Sequence, residues 1–94
     1  MQIIDTKVNF KDDRGEITDL IEGKNINAIT HITFTKGAVR ANHYHKQTTQ
    51  WNYLLSGKIK LVTQAIEGDI QERILNPGEL VETVPMEKHA LVGI

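Results

Sequence analysis

Apolar and polar residues alternate with a period of two along most of this chain, and glycine, proline, asparagine or aspartate repeatedly cuts the alternation. Successive side chains of a strand point to opposite faces, so this pattern specifies half-buried strands separated by turns. No window of about 11 residues keeps an apolar stripe at three-four spacing. β-Branched residues also recur throughout, which disfavours amphipathic helices. The expected class is therefore all-β, a sandwich or barrel of short strands.

In chain order, residues 2 to 10 form the first expected strand, ended by the turn cluster Lys11-Asp12-Asp13-Arg14-Gly15. Residues 16 to 22 form a second, stopping at Gly23-Lys24-Asn25. Ile26, Ala28, Thr30, Ile32 and Phe34 then make one face of a longer strand, with Asn27, His31, Thr33 and Thr35 mostly on the other. Trp51, Tyr53 and Leu55 alternate with Gln50, Asn52 and Leu54 up to Ser56-Gly57, and a further strand spans residues 58 to 64. Ser56-Gly57 and Glu67-Gly68-Asp69 both carry hairpin chemistry. Residues 70 to 75 lead to the turn Asn76-Pro77-Gly78, in which proline pre-sets its own dihedral and glycine takes the left-handed position. Residues 79 to 84 and 89 to 94 are the last strands. Gly37, Gly57 and Gly78 fall 20 and 21 residues apart, but the residues between them do not match. The spacing reads as the rhythm of hairpins, not as a sequence repeat.

A chain of 94 residues is one domain, 1–94, without a linker or low-complexity tract. A domain of this size buries only about 60 to 65% of the surface its unfolded chain exposes, which predicts core borrowed from a partner subunit, a homodimer. The net charge of -1 gives no long-range attraction to nucleic acid or to an anionic membrane. With no cysteine, a metal would have to be held by nitrogen and oxygen. No apolar run approaches the roughly 18 to 20 residues of a membrane-spanning helix. Met1-Gln2-Ile3-Ile4-Asp5 is not a basic-then-apolar signal, and a cytoplasmic location is expected.

Chemistry concentrates between Gly37 and Gly57. His43 and His45 are two residues apart, so on a strand both imidazoles point to one face. Two convergent imidazoles suit a metal ion or an acid/base site. Gln50 follows five residues after His45, and Arg40 and Lys46 flank the pair. His31, alone in its segment, reads as structural, Lys46 as a solvated charge, and Trp51 and Tyr53 as packing against core or an interface.

Gly37, His43, His45, Gln50 and Gly57 match every spacing of the first signature of the cupin superfamily, with Gln50 where that family usually has glutamate. Gly78, Pro85 and His89 resemble the second signature, with one extra residue before the proline. The resemblance implies a cupin double-stranded β-helix, a jelly-roll barrel that strand exchange in a dimer would complete. It also implies a site of His43, His45, Gln50 and His89 around one divalent metal (Zn, Ni, Mn or Fe). A glutamine carbonyl is a neutral and weaker ligand than a carboxylate, so such a site holds a hard cation less tightly.

Asp13-Arg14-Gly15, Arg40 three residues before His43, and His-x-His-Lys followed by Gln50 also resemble the sugar 3,4-ketoisomerases. These are nucleotide-sugar enzymes of polysaccharide biosynthesis that use the cupin barrel without a metal. That likeness implies His43 or His45 as the catalytic base, Arg40 on phosphate or a carbonyl, and Gln50 on the sugar. The function expected is isomerisation or epimerisation beside a carbonyl of a small carbohydrate-like or sugar-nucleotide ligand. A mononuclear metal-dependent dioxygenase or lyase, and a non-catalytic ligand-binding cupin, are the alternatives.

Overall fold

The computed structural model describes the backbone of residues 1–43 and 47–94 and the side chains of residues 1–40 and 47–94. Among the described residues the chain is all-β: β1 (Gln2–Ile4), β2 (Val8–Asp12), β3 (Gly15–Thr18), β4 (Val39–His43), β5 (Gln50–Tyr53), β6 (Ile59–Gln64), β7 (Ile70–Leu75), β8 (Leu80–Thr83) and β9 (Lys88–Gly93). They form a three-stranded sheet β1-β8-β5, a four-stranded sheet β4-β9-β6-β7 and a ribbon β2-β3. Every pairing is antiparallel. None of the three sheets closes into a barrel among the described residues.

The two larger sheets pack face to face because each presents one apolar face. Leu61 and Leu75 come from the four-stranded sheet and Val81 from the three-stranded one, and Met1, Leu54 and Leu91 close around them. Leu61 and Val81 are fully buried, a contribution of about 1.5 to 3 kcal/mol each. On the other side of the three-stranded sheet, Leu80 is covered where the chain around Leu20 and Ile21 crosses Ile4 and Trp51, around a small cavity of about 210 Å³. At one end of the sandwich, buried Glu87 pairs with the Met1 ammonium and accepts the Val84 amide, tying β1 to the turn between β8 and β9.

Four sequence expectations change. The strand expected over residues 2 to 10 is two strands, because β1 and β2 belong to different sheets. The one expected over residues 16 to 22 ends at Thr18, where the next amide, that of Asp19, bonds the Asn9 side chain (2.6 Å). The long strand expected over residues 26 to 35 joins no ladder among the described residues: the chain there keeps the alternating pattern, and only its end, at Phe34 and Thr35, packs against Gly93 of β9. Ser56-Gly57 is a turn without a hairpin, since β5 pairs with β8 while β6 pairs with β7 and β9. Gly57 and Gly78, both at positive φ, turn corners between the sheets.

Candidate functional site

β4 carries Arg40 and ends at His43, whose backbone pairs with His89 of β9. Between the pairs Arg40↔Leu91 and His43↔His89, β4 spends one more residue than β9. This β-bulge re-registers the backbone of β4 against β9 between the two pairs. His89 in turn lies opposite Thr63 of β6. Directly opposed residues share a face, and Leu61, two residues before Thr63 and fully buried, identifies that face as the inner one. His89 is half-buried with its Nδ1 shut off from solvent.

The facing sheet brings Gln50 to the same end of the sandwich. Gln50 is the first residue of β5 and lies opposite Thr83, which is two residues beyond buried Val81 and so also faces inward. The turn 84–87 carries the chain from Thr83 directly to the start of β9, so the Gln50–Thr83 pair and the His89–Thr63 pair occupy one end. Across the sandwich, β1 lies over β7, where Met1 and Ile3 share a cleft of about 410 Å³ with Gln71, Glu72 and Arg73. β8 lies over β6, where Val81 meets Leu61. The same strand order carries β5 towards β9 and β4. Gln50 and His89 are both engaged in interactions.

Arg40 is exposed, with its guanidinium carbon 5.7 Å from the centroid of the Phe34 ring, a cation–π distance. Phe34 reaches it because Gly93 has no side chain: a Cβ there would stand 2.5 Å from the Thr35 carbonyl oxygen. Lys11, Arg14, Lys60 and Arg73 are each paired with a carboxylate, whereas Arg40, like Lys7, Lys24, Lys36, Lys58 and Lys88, is in no ion pair among the described residues.

Of the expected site residues, Gln50 and His89 therefore stand at one end of the sandwich together with the backbone of His43, whereas Arg40 lies further along β4, opposite Leu91, with its guanidinium over Phe34 towards the Gly93 end of β9. The His43 side chain and all of His45 lie outside the described residues, and so does the convergence expected of that pair. Among the described residues no group of three or more histidines and carboxylates could hold a metal ion. The donor set expected from the sequence is neutral, imidazole nitrogens with an amide oxygen, and that chemistry suits a borderline divalent ion better than a hard one. Sequence reasoning passed over Thr63, Thr83 and Phe34. The two threonines could have been found as the next inward positions after Leu61 and Val81. Thr63 is buried and its hydroxyl has no hydrogen-bond partner among the described residues. A scan against models of known protein families gives no match for this chain, and a search of curated proteins gives none.

Proposed function

We propose that this chain is a small cupin-like protein that moves a proton beside the carbonyl of a carbohydrate-like or sugar-nucleotide ligand in the cytoplasm. The observation that carries this reading is the register of β4 and β9. It brings His43 and His89, far apart in sequence, onto one backbone pair, with Gln50 at the same end of the facing sheet. A neutral imidazole of His43 or His45 takes the proton from the hydroxyl-bearing carbon next to the carbonyl, and the electron pair moves onto the carbonyl oxygen to form an enediolate. The imidazolium returns the proton to the former carbonyl carbon, while the neighbouring hydroxyl passes its own proton to the former carbonyl oxygen and becomes the new carbonyl, so the step balances without an oxidant. Imidazole suits this role because it titrates near neutral pH. Gln50 hydrogen-bonds the sugar, and Arg40, its guanidinium over the Phe34 ring, meets the diphosphate.

Where a divalent ion is bound, His43, His45, Gln50 and His89 would hold it, and it would supply polarisation of the carbonyl. The test is proton exchange. Metal-stripped protein incubated in D2O with a dTDP-4-keto-6-deoxyhexose should place deuterium on the carbons flanking the carbonyl, and His43→Ala or His45→Ala should slow this by about 10²- to 10⁴-fold. Exchange that requires added Zn, Ni, Mn or Fe would favour the metal-dependent reading. Tight binding without exchange would make the chain a ligand-binding module and overturn the catalytic proposal.

A further inference from the structure

The stretch from Asn25 to Thr35 contains no Asp, Glu, Lys or Arg and alternates as a strand does, yet it takes part in no ladder. Ile26, Ile29 and Ile32 are exposed along it, and Ile29 is 92% exposed. An uncharged, β-branched segment with unpaired backbone is an aggregation hazard unless another strand covers it. Strand pattern and fold disagree here, and such a conflict disappears when the missing partner is supplied.

The surface area indicates how large that partner contact is. The chain exposes 7238 Å², whereas a compact monomer of 10.6 kDa exposes about 5,500 Å². The radius of gyration is 14.3 Å, against about 12.4 Å for a compact chain of this length. The excess area, on the order of 1,700 Å² per chain, is what one protomer of an obligate dimer hides.

We infer that residues 26–32 form an intermolecular β-strand, pairing antiparallel with the same residues of a second copy about a two-fold axis at Ile29. In this register Ile26 lies opposite the partner's Ile32, Ala28 opposite the partner's Thr30, Asn27 opposite the partner's His31, and Ile29 opposite its own copy. Isoleucine meets isoleucine and Asn27 meets His31, while small Ala28 faces Thr30, which the segment's own sequence provides without a second surface. A contact that is its own complement also closes as a two-fold dimer, so the same surface cannot recruit a third copy. The inference is independent of the proposed reaction, because none of these residues belongs to the proton-transfer site.

Light scattering across a dilution series should give about twice 10.6 kDa at tens of micromolar. Ile29→Asp and Thr30→Pro both lie outside every intrachain ladder, so each should retain the wild-type circular dichroism. Thr30→Pro removes a backbone donor, and either change should weaken association at least about a hundredfold. The chain has no cysteine, so Ile29→Cys should form disulfide-linked dimers in air while Asp69→Cys should not. A wild-type monomer at every concentration would overturn the inference, and would leave the segment to some other protein. A dimer that survives both substitutions, or one in which Ile29→Cys fails to cross-link, would also overturn it.

Discussion

Thr63 buries a hydroxyl with no partner among the described residues, directly opposite His89 and two residues from the fully buried Leu61. Leaving such a donor unsatisfied costs about 1 to 3 kcal/mol, so replacing it by the similarly shaped valine should stabilise the fold. The expectation for Thr63→Val is a urea midpoint raised by the equivalent of about 1 kcal/mol, together with slower deuterium exchange on the keto-sugar, because the hydroxyl stands beside an imidazole of the site. A lowered midpoint would show that the hydroxyl is satisfied in solution. The residue was legible as inward-facing from its spacing to Leu61. Its pairing with His89 was not, because cross-strand register depends on residues about 25 positions away in sequence, a relation that no local pattern contains.

At the scale of elements, the corner between β7 and β8 depends on one carboxylate. Glu79 accepts the Asn76 amide (2.7 Å) and an Arg73 guanidinium nitrogen (2.7 Å). The Arg73 hydrogen bond, then that of Asn76, lowers the Glu79 carboxyl below its ordinary range. A carboxylate lowered in the folded state adds stability that is fully present above its unfolded pKa, about 4.3, and that is lost as pH falls through the folded value. Glu79→Gln should therefore cost stability at neutral pH and lose progressively less, relative to wild type, below about pH 4. Urea midpoints measured across that range check this, and a difference independent of pH would contradict it. The turn itself was legible, because Asn76-Pro77-Gly78 states its geometry locally, as do the alternating runs that became β6, β7, β8 and β9. What turn chemistry does not state is which sheet the next strand joins. For that reason Ser56-Gly57 was a turn yet not a hairpin. The segment 26–35 shows the same gap from the other side: alternation describes a strand's faces but not its neighbour.

For the whole molecule, two antiparallel sheets are closed over a very small core. Leu61, Leu75, Leu80 and Val81 are the buried hydrophobic residues among those described. A core of this size leaves much apolar surface exposed among the described residues, and the strand registers place Gln50, His89 and the backbone of His43 at one end of the sandwich. Whether the histidines distant in sequence work as one site can be read directly from imidazole nitrogens. Long-range 1H–15N spectra of the four histidines, recorded while a keto-sugar nucleotide is added, should show the signals of His43, His45 and His89 moving together with one common affinity. His31, exposed on the segment outside the ladders, should stay in place. Movement of only one of the three, or of His31 alongside them, would contradict a shared site between the sheets.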